Sequence, residues 1–277
     1  MADREETSDE MSSGELPSHL QYSMSHRHVG KCLIISNRCF SGLPYRNGAE
    51  KDEERLKHTF EALGFTLQVE KNLSAGDMLR VLQSVSKEDH SQRSCFVCVI
   101  LTHGYEEHVL GTDRNAVPVR DLTAQLTAQR CPSLQGKPKL FFIQACRGEE
   151  YDSGVETDSV AVKQKSCVKL SDTPEMDFLC GYSTPPGYFS WRNQATGSVY
   201  IRGLCLMLEQ HKSLEITKIL TRVNHWVALH FESQTDSELT GRKKQMPCVM
   251  SRLTKELYLQ SHPQSKQGST TASNSEP

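Results

Sequence analysis

The sequence predicts an α/β fold built on a mainly parallel β-sheet, and three features of the chain support this prediction. Short apolar runs recur along the chain, and a continuous apolar strand is typical of a sheet that is covered on both faces. Segments with helical periodicity separate these runs. Strands that alternate with helices favour parallel pairing, because each crossover returns the chain to the same end of the sheet. The predicted strands are KCLIIS (31–36), FTLQV (65–69), SCFVCVILT (94–102), KLFFIQA (139–145), MDFLCGYS (176–183) and CVMS (248–251).

The predicted helices carry their own sequence signals. After the first strand, Leu56, Phe60 and Leu63 recur at i, i+4 and i+7 and therefore share one helix face. Ser74 followed by Asp77 forms a capping-box pattern at the start of the next helix. A further helix is predicted from a longer apolar stripe, which consists of Ile216, Ile219, Leu220, Val223, Val227 and Phe231.

Three polar segments flank or interrupt this core. Residues 1–25 hold six acidic side chains against the single Arg4, and a segment of this composition cannot bury enough apolar surface to become ordered. The run from Gln260 to the C-terminus is equally polar and is predicted to be disordered as well. Residues 148–174 form a polar, turn-rich loop of a length that is usually functional or disordered. This loop divides the core into a larger first part and a smaller second part.

Composition and charge exclude several functional classes. The chain has 277 residues and a formal net charge of -2, so it lacks the basic excess of a typical nucleic-acid-binding protein. It has no signal-peptide core and no apolar stretch of the roughly 18 residues that a membrane span requires, so we expect a soluble cytoplasmic protein. It contains no glycine-rich phosphate-binding pattern, and no cofactor is expected. The ten cysteines lie in a chain without an export signal and are predicted to be reduced.

Two of the predicted strands end at reactive side chains. KLFFIQA runs directly into Cys146, and SCFVCVILT ends at His103. If these strands are parallel neighbours, both side chains emerge at the carboxyl edge of the sheet, where active sites of α/β proteins gather. A thiol with a pKa of about 8.5 is mostly protonated at neutral pH and needs a nearby base or cation to act as a nucleophile. We therefore predict that Cys146 is a nucleophile and that His103 is its base.

Other cysteines and histidines carry weaker signals. A cysteine in an apolar run is most often a small core side chain, and this interpretation suits the nine cysteines other than Cys146. Cys95 and Cys98 form a C-x-x-C pattern, but residues three apart on a strand face opposite sides, and no second C-x-x-C completes a zinc site. His108 is an alternative to His103, but it lacks the H-E-x-x-H pattern of a zinc helix, and we expect it on a surface loop.

The pentapeptide QACRG at residues 144–148 resembles the active-site signature of the caspase family, which is a known motif and does not follow from the spacing. The resemblance extends over residues 28–259 and is strongest to the executioner group, which has a short N-terminal segment. It implies a caspase-like three-layer sandwich whose six-stranded sheet has helices on both faces. Further segments that carry it are VSKEDHSQRSCFVC, STPPGYFSWRN and QMPCVMSRLTKELYL.

The resemblance assigns roles to individual residues. It makes Cys146 the nucleophile and His103 its partner, with the backbone N–H groups of Gly104 and Cys146 as the oxyanion hole. Two arginines and an amide suit a substrate carboxylate, because guanidinium groups bind carboxylates bidentately and keep their charge. The family's aspartate pocket matches Arg46, Gln144 and Arg192, its contact with the fourth upstream substrate residue matches Asn193, and its groove wall matches Phe189 and Trp191.

The resemblance also implies a zymogen that is activated by a cut after Asp158, with Asp152, Asp172 and Asp177 as secondary candidates. Asp177 opens an apolar strand and is expected to be inaccessible. The implied partners are substrates with aspartate at the scissile position, an upstream initiator caspase, caspase inhibitor proteins and a second copy of the chain. The predicted division is a disordered segment (1–25), a large part (26–158), a linker (159–175), a small part (176–259) and a disordered tail (260–277).

Two features of the chain differ from the executioner pattern. Val199 stands where a tryptophan usually follows Gly-Ser, so the upper substrate pocket lacks a large flat wall. Arg252 places a cation in the segment that the family uses for its dimer contact. The alternative function is that of a catalytically silent relative acting as a scaffold or regulator, and a covalent probe with an aspartyl warhead distinguishes the two.

Overall fold

The fold is described from a computed structural model, which covers residues 18–145, 176–186, 188, 190–233 and 243–260. Its helices are α1 (Ala49–Ala62), α2 (Ala75–Ser86), α3 (Val119–Thr123), α4 (Val199–Gln210) and α5 (Ile216–His230). Its longer strands are β1 (His28–Ser36), β2 (Phe65–Lys71), β3 (Arg93–Leu101), β7 (Lys139–Gln144), β8 (Phe178–Tyr182) and β11 (Cys248–Ser251). Its short strands are β4 (Gly104–Tyr105), β5 (His108–Leu110), β6 (Ala116–Pro118), β9 (Arg192–Asn193) and β10 (Gly197–Ser198).

One six-stranded sheet forms the centre of the molecule, in the order β11-β8-β7-β3-β1-β2. All neighbours in this sheet are parallel except β11, which pairs with β8 in the antiparallel sense. The six predicted apolar runs are the six strands of this sheet. The predicted fold class, a mainly parallel α/β sandwich, is therefore confirmed.

Helices cover both faces of the sheet. Alternate side chains of β1 and β3 point to opposite faces, so that Cys95 packs in the core beneath α1, α4 and α5, whereas Cys98 packs in the core beneath α2 and α3. This placement confirms that the C-x-x-C cysteines face opposite sides. Each face buries a continuous layer of aliphatic and aromatic side chains, and this burial is the main source of stability of the sandwich.

The helix signals in the sequence mark real helices. Leu56 and Phe60 are fully buried on α1, and Leu63 is the residue at its C-terminal cap. Ser74 caps α2 by accepting a hydrogen bond from the backbone N–H of Asp77 at 3.1 Å, as the capping-box pattern predicts. The apolar stripe of the last helix is buried along α5, which ends one residue before Phe231.

Three expectations from the sequence need correction. His108 lies in strand β5, half-buried and stacked on Tyr105 with ring centroids 5.1 Å apart, and it is not a surface loop residue. Cys39 is exposed, so core packing does not describe all of the other cysteines. The predicted disordered segment extends too far, because the chain forms a short 3-10 turn at Ser18–Leu20 and buries Tyr22.

Tyr22 attaches the N-terminal segment to the second part of the chain. Its hydroxyl donates to a carboxylate oxygen of Asp177 at 2.6 Å and accepts from the backbone N–H of Thr254 at 3.0 Å. Burial is the main cause that raises the pKa of Tyr22 to about 12, so this hydroxyl keeps its proton near neutral pH. Asp177 is 6% exposed, which confirms that it is inaccessible.

Candidate active site

Strands β3 and β7 bring the predicted catalytic positions to one edge of the sheet. The two strands are parallel neighbours, and Leu101 lies opposite Gln144 in their register. The backbone N–H of Thr102 extends this pairing by donating to the carbonyl of Gln144 at 3.1 Å. His103 follows Leu101 by two residues, and Cys146 follows Gln144 by two residues. The prediction that these strands are parallel neighbours is therefore confirmed.

Several predicted functional residues lie outside the described part of the chain. They are Cys146 with the two signature residues that follow it, Phe189, and the candidate cleavage positions Asp152, Asp158 and Asp172. Their assigned roles remain predictions.

His103 lies in a tightly packed setting. Its side chain is buried, and the ring of Phe40 contacts it edge-on with centroids 4.6 Å apart. The carbonyl of His103 accepts from the backbone N–H of Leu110 at 2.8 Å, which attaches it to the small sheet of β4, β5 and β6. Gly104 follows as the first residue of β4 and is also buried. The ring of Phe40 thus packs against the imidazole, and the short sheet holds the backbone of His103.

Asn37 connects three segments near this edge, although no local sequence pattern marks it. It follows β1 directly and is fully buried. Its side-chain amide donates to the carbonyls of Leu73 and Leu110, both at 3.2 Å, and its oxygen accepts from the N–H of Leu73 at 2.8 Å. Its backbone carbonyl accepts from the guanidinium of Arg46 at 3.0 Å. Asn37 therefore fixes Arg46 relative to the ends of β1 and β5.

Arg46 and Gln144, two of the three predicted pocket residues, are fully buried and lie at the carboxyl edge of the sheet. Arg46 is on the loop between β1 and α1, and its backbone N–H donates to the carbonyl of Arg38 at 3.0 Å. Gln144 ends β7, and its amide nitrogen donates to the hydroxyl of Ser190 at 2.7 Å. An arginine on the surface is the usual case, so the complete burial of Arg46 is informative.

Arg192, the third predicted pocket residue, connects the two parts of the chain. It lies on β9 with 4% of its surface exposed, and its Nε donates to the carbonyl of Asn47 at 2.7 Å. Asn47 is adjacent to Arg46, so this bond brings the two arginine-bearing segments together. Gly48 follows in the left-handed region at φ 81°, and a side chain there would collide with the carbonyl of Asn193.

The remaining predicted groove residues lie beside Arg192. Trp191 is buried against Phe231, with ring centroids 5.9 Å apart, and its backbone N–H donates to the side chain of Gln245 at 2.8 Å. Asn193 is exposed, and its side-chain oxygen accepts from the backbone N–H groups of the following turn, at 2.8 Å and 3.1 Å. The amide of Asn193 thus shapes the β9–β10 turn.

Asp52 lies close to both pocket arginines, and sequence analysis did not single it out. It is fully buried on α1, and its Oδ1 accepts from the backbone N–H of Ser198 at 2.9 Å. Burial raises the pKa of the Asp52 carboxyl to about 7, although Ser198 and the charges of Arg46 and Arg192 oppose this shift. The sequence does indicate that Asp52 is buried, because it precedes Leu56 by four residues and so lies on the apolar face of α1.

Gly197 allows Asp52 to approach the β9–β10 hairpin. It has a positive φ of 80°, and a Cβ at this position would collide with Oδ1 of Asp52. The hairpin and α1 therefore meet at a point where backbone and carboxyl are in direct contact.

The described residues do not suggest a metal centre or a membrane helix. Within the ranges that the structure covers, no three His, Cys, Asp or Glu side chains are grouped so that they could hold a metal ion. Nor does any helix in those ranges have the length and apolar character needed to cross a bilayer.

Comparison with known proteins gives a consistent match. The Peptidase_C14 family, described as Caspase domain, matches residues 29–258. The chain is 46% identical over 246 residues to Caspase-7 of Gallus gallus, and this alignment covers 86% of this chain and 79% of that protein. It is 46% identical over 241 residues to Caspase-3 of Bos taurus and 48% identical over 242 residues to Caspase-3 of Mus musculus. Each of these two matches covers 86% of both chains.

Proposed function

The chain belongs to the caspase family of cysteine endopeptidases that cleave after aspartate, and we propose that Cys146, His103 and Gly104 form its catalytic centre. Its relatives place it in the executioner group, which acts in apoptosis. A catalytically silent scaffold is not favoured by these matches. The observation that carries the proposal is the parallel register of β3 and β7, because His103 and Cys146 follow paired residues by the same number of positions.

The proposed reaction proceeds through an acyl-enzyme. The thiolate of Cys146 attacks the scissile carbonyl carbon, and the N–H groups of Gly104 and Cys146 stabilise the resulting oxyanion. His103 then donates a proton to the leaving amine, so that the C–N bond breaks and a thioester remains. Water, deprotonated by His103, attacks the thioester and releases the carboxylic acid product and the thiol. The packing of Phe40 against His103 suits this role, since an imidazole that exchanges protons must keep its orientation.

We propose that Arg46, Gln144 and Arg192 bind the substrate's aspartate. The burial of both guanidinium groups supports this assignment, because buried cations need an anionic partner. A neutral asparagine in the substrate offers these desolvated guanidinium groups no charged acceptor. Peptides with asparagine at the scissile position should therefore be rejected by about 10⁴-fold or more. Asn193 is proposed to contact the fourth upstream substrate residue, and Phe189 and Trp191 to line the groove.

The catalytic assignment is tested by substitution. Cys146→Ala and His103→Ala should each abolish cleavage of an Asp-containing fluorogenic peptide, while both proteins still unfold cooperatively. Because members of a catalytic unit act together, the double variant should be scarcely less active than either single one. Substantial turnover by the Cys146→Ala protein would contradict the assignment.

We further propose that the chain is made as a zymogen and is cut after Asp158 by an initiator caspase. The cut separates a large part (26–158) from the linker (159–175) and the small part (176–259) that follows it. Exposed loops are the usual sites of such cleavage. The cut would let the segments that carry Cys146 and Arg192 adjust around an existing fold.

We propose that two copies pair through β11 and that caspase inhibitor proteins bind the substrate groove. β11 is an edge strand, with β8 as its neighbour on one side, so its other side offers backbone groups to a second chain. Met250 on this strand is 47% exposed, which suits a contact surface. A cytoplasmic location is proposed because the described cysteines, eight in number, are all free.

A further inference from the structure

Asp52 is a buried carboxyl group behind the proposed aspartate pocket, and no step of the proposed mechanism uses it. Its surface is 0% exposed. Oδ1 accepts from the backbone N–H of Ser198, whereas Oδ2 has no hydrogen-bond partner among the described residues. A buried polar atom without a partner is unfavourable and calls for a functional explanation.

The groups in electrostatic contact with Asp52 come from three neighbouring elements. The charges of Arg46, on the loop before α1, and of Arg192, on β9, both favour the ionised form of Asp52. Cys205 on α4 also interacts electrostatically with Asp52, but burial raises the pKa of this thiol to about 12, so it carries no charge near neutral pH. The charge around Asp52 is therefore set by the two arginines of the pocket.

Each of these arginines has its own backbone anchor. Arg46 donates to the carbonyl of Asn37, and Arg192 donates to the carbonyl of Asn47. What Asp52 adds to the pocket is therefore charge. With Asp52 ionised, the three groups carry a net charge of +1, and with Asp52 protonated they carry +2.

We infer that Asp52 is the internal counter-charge of the aspartate pocket, and that its ionised carboxylate competes with the substrate carboxylate for Arg46 and Arg192. Where Asp52 is ionised in the free pocket, substrate binding then favours the transfer of a proton from solvent to its carboxylate, and substrate release returns that proton. This inference rests on the proposed pocket. Asp52 acts through the two arginines and is a positioning residue for their charge.

The free pocket is poised for this exchange at physiological pH. Desolvation of the buried carboxyl raises its pKa into the neutral range, so both charge states are populated. A substrate carboxylate adds a negative charge to the same pair of arginines and so favours the protonated form of Asp52 further. Affinity for aspartate peptides should therefore fall as the pH rises through 7 to 8.

The test compares the wild type with Asp52→Asn, which has the same shape and keeps an oxygen for the N–H of Ser198. If substrate binding raises the Asp52 pKa by about one unit, the wild-type KM should rise about five- to tenfold between pH 6 and pH 8.5. The KM of Asp52→Asn should stay low and flat, while its kcat follows the wild-type pH profile. Glu54→Gln is the matched control on α1, since its side chain is 68% exposed, and it should leave the wild-type pH dependence of KM unchanged.

A KM for Asp52→Asn that rises with pH as in the wild type, or that exceeds the wild-type KM at pH 8.5, would overturn the inference and indicate a structural role. Failure of the proposed pocket gives a different result, namely unchanged kinetics when Arg192 is replaced by lysine.

A second measurement does not depend on the folding of the Asn variant. The Cys146→Ala/His103→Ala double variant binds an Asp peptide without catalytic titration, and calorimetry in buffers of different ionisation enthalpy counts the protons taken up. About half a proton per site is expected at pH 7.5 for a shift of one pKa unit. Uptake indistinguishable from zero would overturn the inference.

Discussion

Replacing Arg192 with lysine keeps the positive charge of the pocket but removes the planar guanidinium group and its Nε–H donor. Arg192 is buried, and its Nε–H donates to the carbonyl of Asn47 at 2.7 Å. Lysine has no donor at that position and offers a point charge to the substrate carboxylate in place of a planar fork. A charge-assisted hydrogen bond contributes roughly 1.5–3 kcal/mol. Losing one to Asn47 and one to the substrate should cost about 3–6 kcal/mol, or about 10²- to 10⁴-fold in kcat/KM.

The assay is kcat/KM for a fluorogenic peptide with aspartate at the scissile position, measured on the processed enzyme. Arg55→Lys is the control, because Arg55 also connects α1 to the β9–β10 hairpin, donating to the carbonyl of Thr196 at 3.3 Å, but is only half-buried. It should change kcat/KM less than twofold. Unfolding midpoints separate pocket effects from folding effects. If the Arg192→Lys protein retains kcat/KM within threefold of the wild type, the aspartate pocket lies elsewhere.

Three further predictions concern activation and stability. The Asp158→Ala precursor should resist cutting by an initiator caspase and stay inactive, as measured by gel electrophoresis and a peptide assay on the same samples. Processing at the wild-type rate with full activity would mean that the activating cleavage site lies elsewhere. Tyr22→Phe should lower the free energy of unfolding by about 1–3 kcal/mol in urea, because buried Asp177 loses a hydrogen bond, whereas Tyr188→Phe, at a residue that is 65% exposed, should have no effect. Folding raises the pKa of Asp52 from 3.8 to about 7, so the wild type loses stability as the pH rises between these values. The increase in the free energy of unfolding caused by Asp52→Asn should therefore be larger at pH 8 than at pH 5. An equal increase at both pH values would contradict this pH dependence.

The strands of the central sheet could be predicted from the sequence because they are buried on both faces. Such strands read as continuous apolar runs, and β3 and β7 are the clearest cases. The short strands β4, β5 and β6 are two or three residues long and have no detectable periodicity. α4 was missed for a different reason, since most of its residues are buried and its apolar face has no distinct polar counterpart.

The site could be predicted only in part. The positions of His103 and Cys146 followed from strand ends, whereas the pocket arginines depended on the resemblance to a family, because nothing local distinguishes Arg46 from a surface arginine. Asn37 and Asp52 act through contacts to segments far away in sequence, as in the 146-residue separation of Asp52 and Ser198. Local sequence patterns do not predict contacts between such distant residues. The position of Asp52 on an apolar helix face is the one indication that they give.

The topology explains how the proposed cut can activate the enzyme without separating its parts. The linker joins β7 to β8, and these strands are paired neighbours in the middle of the sheet, so a cut between them removes a covalent connection and leaves the pairing intact. The two parts also share the pocket, since Arg46 belongs to the first and Arg192 to the second, and the bond from Arg192 to Asn47 crosses between them. Neither part can assemble the proposed aspartate pocket alone. We therefore expect the proposed cut to leave the sheet and the shared pocket assembled.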